Sequence, residues 1–226
     1  MAVPSGRLSR RLSRHHLPLA LAVFVSGAAL YATRPYADVV TRLSFASAYP
    51  ALILLILTLV IGPFKLLTRD RLTLSLDLRR DIGIWAGITG LFHVAVGQFE
   101  HLRGRPWLYY IYDDWQEEHA LPIRYDLFGL ANYAGLFAGV ILLVLLATSH
   151  DVALRRLGAA RWKRLQRWSY LGFALTAFHT FSYQKGIGNQ QTVFVALAAL
   201  GVVAVLIAQW LGWRRMGEPT LGVRRP

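Results

Sequence analysis

The chain has no cysteine, which excludes disulfides, thiolate zinc sites, iron–sulfur clusters and cysteine nucleophiles. It is also poor in charge. Asp, Glu, Lys and Arg make up 16% of its 226 residues, while 55% are hydrophobic. Soluble domains carry about 25% charged residues, and so few charges cannot cover the surface of a soluble globule. Disorder, collagen and a coiled coil are excluded on the same numbers. Internal repeats, low-complexity tracts and a Gly-rich nucleotide-binding loop are absent, so any flavin or nicotinamide module must be another protein.

What the chain has instead is long apolar runs. A membrane helix needs about 20 mostly apolar residues. Six stretches approach this, at roughly 17–32, 43–63, 82–99, 127–147, 165–183 and 192–213. The expected fold is all-α, a polytopic membrane protein built as a bundle of six transmembrane helices. Gly135 and Gly139 mark a helix face that permits close approach.

Basic residues set the orientation. With the N-terminus placed inside, nineteen of the 25 Lys and Arg fall in the four inner segments and six outside. The inner face then carries +14 and the outer face −1. The net charge of +13 therefore reads as a topology signal and a lipid-headgroup contact, not as a nucleic-acid surface. The organisation that follows is a basic cytoplasmic arm (1–16), a six-helix domain (17–213) with a long outer loop (100–126), and a basic cytoplasmic tail (214–226). The expected location is the bacterial inner membrane with both termini cytoplasmic. Small residues Ser26, Gly27, Ala28 and Ala29 resemble a signal-peptidase site. The apolar run continues past them to Ala32, which favours an uncleaved first helix.

Of the seven histidines, His15, His16, His101, His119 and His150 read as solvated or interfacial. His93 and His179 lie inside spans, where an ionisable residue is expensive and usually functional. The third and fifth spans run in the same direction. At 1.5 Å per residue both imidazoles sit about 6–9 Å below the outer edge. Ala86, Gly90, His93 and Gly97 share one helical face, and so do Gly172, Thr176, His179 and Tyr183. Two histidines at one depth, with small neighbours at Gly90, Gly97 and Thr176, suit a flat macrocycle with one axial imidazole from each helix. The competing reading is two histidines that hydrogen-bond across helices without a cofactor. A zinc site needs a third ligand that no span supplies at this depth. Arg103, Arg105, Arg124 and Lys185 are the candidate partners for acidic groups of such a macrocycle at the outer edge.

The residues Arg79-Arg80-Asp81-Ile82-Gly83-Ile84-Trp85 followed by His93, and Leu157-Gly158, Arg161-Trp162-Lys163-Arg164-Leu165-Gln166-Arg167, Tyr170-Leu171 and His179, resemble the third- and fifth-helix motifs of the ferric reductase-like transmembrane domain family. Within it the chain is most similar to haem-binding membrane subunits of periplasmic methionine-sulfoxide reductase systems. Ile61-Gly62-Pro63 and Ala147-Thr148-Ser149 add to the likeness, which covers about residues 45–190. The resemblance implies b-type haem with His93 and His179 as iron ligands, and electron transfer across the membrane. Two-haem relatives carry a second histidine 13–14 residues earlier on each ligand helix, where this chain has Gln166 and Arg79. One haem at the outer site is therefore expected. Near Gln166, Arg79 and Arg80 the alternatives are a flavin or quinone, or arginines that only anchor the helices; the latter is preferred.

The implied function is a membrane electron-transfer subunit that takes electrons from quinol or a cytosolic flavin reductase and gives them to a soluble extracytoplasmic enzyme such as a methionine-sulfoxide reductase. The alternatives are a ferric reductase acting at the outer face and a haem-free transporter or scaffold. In the outer loop, Trp107, Tyr109, Tyr110, Tyr112 and Trp115 are expected to form an interfacial belt. The doublets Asp113-Asp114 and Glu117-Glu118 offer a second reading, docking of a basic partner or a cation.

Overall fold

The computed structural model describes residues 9–34, 36–68, 75–102, 104–113, 118–188 and 191–217. Arg7, Arg69, Arg71, Arg103, Asp114, Trp115, Glu117, Arg224 and Arg225 lie outside the described residues.

Every apolar stretch is helical, and the protein is an all-α polytopic membrane protein. The helices are α1 (Leu17–Thr33), α2 (Val39–Leu67), α3 (Leu76–Gly97), α4 (Leu127–Ala147), α5 (Asp151–Gln166), α6 (Trp168–Phe181) and α7 (Thr192–Gly217). Wider π-helical turns precede α1 at Leu12–His16 and follow α6 at Ser182–Ile187. Among the described residues, four helical segments, those of α1, α2, α4 and α7, are long and apolar enough to cross a membrane by length and composition. The other two apolar helices, α3 and α6, carry His93 and His179. Charged turns open α3, and α6 is short.

In hydrocarbon every backbone group must find a partner within the protein, and the helix ends show how. Asp38 caps α2 by accepting from Thr41 N–H at 3.0 Å. Ser75 caps α3 through Leu78 N–H, and Asp126 caps α4 through Gly129 N–H. Pro63 has no N–H for the Leu59 carbonyl four residues back. The Gln209 side chain of α7 donates to that carbonyl instead, at 2.8 Å.

Helices α2, α3, α4 and α6 form a ring. α2 packs extensively on α3 and α4 on α6, α3 meets α4 along a smaller seam, and α6 touches α2. α1 and α7 pack against α2 from outside. Small residues allow the close approach: a Cβ at Gly139 of α4 would lie 3.0 Å from Val94 of α3, and one at Gly87 of α3 would lie 3.3 Å from Leu146 of α4. The outward faces carry exposed Leu21, Phe24, Leu143, Leu200 and Leu206, as a lipid-facing surface requires.

Beyond a few residues' extension at the ends of α2 and α7, two differences from expectation stand out. α3 begins at Leu76, six residues before the apolar run, because Ser75 caps it and its charged first turns find partners among neighbouring helices. The fifth stretch is split: residues 165–166 belong to α5, and α6 begins at Trp168. Most of α5 is exposed and basic, with Arg155, Arg156, Arg161, Lys163 and Arg164 all on the surface. It is broken at Gly158, whose φ of 71° suits only glycine without strain. Trp162 ties it to the end of α4 by donating to the Thr148 carbonyl at 2.9 Å.

Candidate functional site

The four-helix ring encloses a cavity of about 360 Å³ toward the end that carries the 100–126 loop. His93 and His179 both line it, with Gly90, Gly97 and Thr176, so the residues expected to share a site do share one. The imidazole centroids stand 6.2 Å apart with the rings at 74°. Metal–imidazole bonds are about 2 Å long, so two rings on opposite sides of one metal stand about 6 Å apart centre to centre. The two histidines do not hydrogen-bond each other. His93 Nδ1 lies 3.0 Å from the Ser44 carbonyl of α2, and His179 Nδ1 lies 2.8 Å from the Ala131 carbonyl of α4. A carbonyl can only accept, so each Nδ1 must carry the proton. Each Nε2 is then a bare lone pair, the form in which histidine binds a metal.

The cavity is walled with small residues. Ala48, Ala86, Gly90, Gly135, Ala138 and Gly139 leave space where larger side chains would fill it. Gly135 was legible only as a packing glycine, yet its role is closer to the chemistry. A Cβ there would sit 2.7 Å from His179 Nδ1, so glycine lets that ring reach the Ala131 carbonyl. Thr176 spends its hydroxyl on the Gly172 carbonyl at 2.8 Å. A flat group that brings its own equatorial ligands and takes two axial nitrogens fits this donor set. Among the described residues no group of three or more His, Asp or Glu is placed to hold a bare metal ion.

The outer-edge arginines are placed differently from the expectation. Arg105 pairs with Asp113 at 3.0 Å, and Arg124 with Asp126 at 3.1 Å. Neither Arg105, Arg124 nor Lys185 lines the cavity. The short sequence separations explain the pairs: the loop supplies its own acids. Neutral and acidic groups stand at the mouth instead, among them Gln98, Glu100, His101, Asn132 and Tyr183. The interfacial-belt reading holds for Trp107, which is 50% exposed, and fails for Tyr109, at 1%, and for the buried Tyr112. These turn inward because a short turn at Pro106–Tyr109 and a bridge between Ile111 and Ile123 fold the loop over the cavity. Tyr109 accepts a hydrogen bond from the His101 amide at 2.7 Å. His101 stacks on Tyr183. The His101 side chain is 40% exposed, and His150, also exposed, caps α5 by accepting from Ala153 N–H.

At the opposite end of the ring, Asp81 is fully buried. Arg11 donates to it, His15 Nδ1 reaches it at 2.7 Å and His16 Nε2 at 3.3 Å. His15 and His16 are half-buried against that carboxylate. The π-helical turn before α1 swings them onto α3. Arg79 donates to the Thr58 carbonyl, and Arg80 to the Ser149 carbonyl and to Asp151. These arginines tie helices together. Gln166 has a buried amide nitrogen with no partner among the described residues.

Comparison with known proteins follows the same lines. The family described as ferric reductase like transmembrane component matches residues 45–177, a span that includes His93 and stops two residues short of His179. A protein-methionine-sulfoxide reductase heme-binding subunit MsrQ from Polaromonas naphthalenivorans is 38% identical over 80 residues, 35% of this chain and 33% of the relative. The MsrQ of Rhizobium meliloti is 37% identical over 89 residues, 37% of this chain and 38% of the relative. That of Deinococcus radiodurans is 30% identical over 154 residues, 67% of this chain and 68% of the relative. The chain thus spans little more than a third of the first two relatives. No solved structure matches it. With well over half of its length matched by the family and two thirds by the third relative, the chain belongs to the ferric reductase-like transmembrane component family.

Proposed function

We infer that the protein is a membrane electron-transfer subunit that holds one b-type haem between His93 and His179. It would take electrons from a quinol or a flavin reductase at the inner side and deliver them to an extracytoplasmic enzyme, a methionine-sulfoxide reductase by analogy with its relatives. The observation that carries this reading is the pair of Nδ1–carbonyl bonds, which leaves two Nε2 lone pairs on a shared cavity at a spacing suited to one metal. A bound haem supplies a one-electron iron couple. The chain does the rest. Ser44 and Ala131 fix each ring's tautomer and direction. Gly90, Gly97 and Thr176 border the same space, and Leu52 and Leu142 help keep water out. The assignment includes the domain reading made from sequence: residues 17–213 as the membrane domain, residues 1–16 and 214–226 as basic cytoplasmic flanks, and the bacterial inner membrane as the location. Ferric reduction at the outer face is the weaker reading, because Asp113 and Asp126 are already paired with Arg105 and Arg124.

The test is a reduced-minus-oxidised spectrum of the detergent-purified chain with haem counted per polypeptide. About one low-spin b haem is expected. A colourless protein from haem-replete cells would overturn the reading, and about two haems would overturn the single-site assignment.

A further inference from the structure

Among the described residues the cavity has no arginine or lysine in its lining, and besides the two histidines its titratable groups are Tyr36, Tyr49, Glu100, His101 and Tyr183. Adding an electron to such a site adds an uncompensated negative charge in a medium of low dielectric, which is costly. A proton arriving nearby removes that cost. Glu100 is placed to hold it. It lies three residues past the end of α3, at the outer mouth, with its side chain 20% exposed. Water and the site are both within its reach.

Glu100 shares the cavity wall with His93. Both line it, together with Ser44, whose carbonyl accepts from His93 Nδ1 at 3.0 Å. The other titratable groups that face Glu100 are His101, whose ring lies 4.0 Å from the carboxylate, Asp38 at the start of α2, Tyr109 in the loop and Tyr183 after α6.

We propose that Glu100 is the proton-accepting partner of the electron site, a positioning residue that acts through its charge across the shared cavity. As one electron enters from the quinol or reduced flavin, Glu100 takes one proton from the outer face and becomes a neutral carboxylic acid. As the electron leaves for the acceptor, the O–H bond breaks and the proton returns. One electron and one proton move together, and the net charge of the site stays constant. The proposal rests on the haem assignment above. Burial raises the Glu100 carboxyl above its ordinary range, with Asp38 adding to the rise and Ser44 and His101 opposing it. This moves the group toward the pH at which the protein works.

The experiment is a mediated dithionite titration of the haem-loaded full-length chain at several pH values between about 5 and 9. Protonation stabilises the reduced form, so the midpoint potential rises as pH falls. The expected slope in the titrating range approaches a tenfold change in the reduced-to-oxidised ratio per pH unit, about 59 mV for one electron. Glu100→Gln keeps the shape of the side chain and cannot titrate. It should flatten the profile by at least threefold, with an unchanged absorption spectrum. His101→Gln should keep the slope and move it to higher pH, since a group that lowers the Glu100 pKa is gone. A flat wild-type profile, or a full slope in Glu100→Gln, overturns the proposal while leaving the haem assignment intact. A chain that binds no haem overturns both.

Discussion

Helix α3 carries the buried Asp81 and, twelve residues on, the half-buried His93, and their surroundings are opposites. At one end Asp81 meets Arg11, His15 and His16. At the other end His93 Nδ1 meets the Ser44 carbonyl at 3.0 Å and the Ser47 hydroxyl at 3.5 Å, and a cavity adjoins the ring. Both positions have solved the problem of a polar group in a membrane. Asp81 is satisfied by the chain itself. His93 is half satisfied, with an open coordination position. A buried polar residue in a membrane helix is thus no functional signal on its own; what matters is whether the protein has used up its valences.

The contrast can be broken by substitution, beginning with the largest effect. His93→Ala and His179→Ala should each remove stable haem binding, read as a fall of the haem-to-chain ratio toward zero, because half of the axial attachment is lost. Full occupancy in both variants would leave the open end of α3 without its assigned role. Asp81→Ala should cost about 3 kcal/mol of stability, the low end of the range for a broken buried pair because Arg11 keeps some contact with water. The thermal midpoint in detergent would fall, with one haem per chain retained. Loss of haem in that variant would show the two ends to be one unit. Gly135→Ala should weaken haem affinity about 10–100-fold, as second ligand-orienting bonds typically do when disturbed, since the new Cβ would push His179 off the Ala131 carbonyl. Gln166→Ala should leave the haem-to-chain ratio unchanged. A halved ratio would reveal a second site where the structure shows only an unpartnered amide.

Hydropathy located the helices well because apolar runs and spans are one physical fact. The fourth stretch matches α4 from Leu127 to Ala147 without a residue's difference. The pair of histidines was legible for a similar reason: depth follows from counting along two helices. Three things were not legible. The charged opening of α3 was invisible to hydropathy because Arg79, Arg80 and Asp81 look like loop residues until their partners are known. Those partners sit as far away as Arg11 and His15, and no local spacing announces a contact across some seventy residues. α5 was counted as a basic connection, although His150 at its start and Asp151 in its first turn are ordinary helix-opening signals. The cavity mouth misled in the other direction. Arginines were assigned to an absent partner by charge, while nearer acids in the same loop had already taken two of them.

The orienting acceptors for the two histidines are main-chain oxygens, those of Ser44 and Ala131. A codon change at either position swaps a side chain and leaves the acceptor in place. The aim of each imidazole is therefore insulated from the side-chain chemistry of the residues that set it. It is exposed instead to anything that slides α2 along α3 or α4 along α6, so drift in this lineage should be resisted at the small residues that keep those helices in register, the fully buried Ala131 among them.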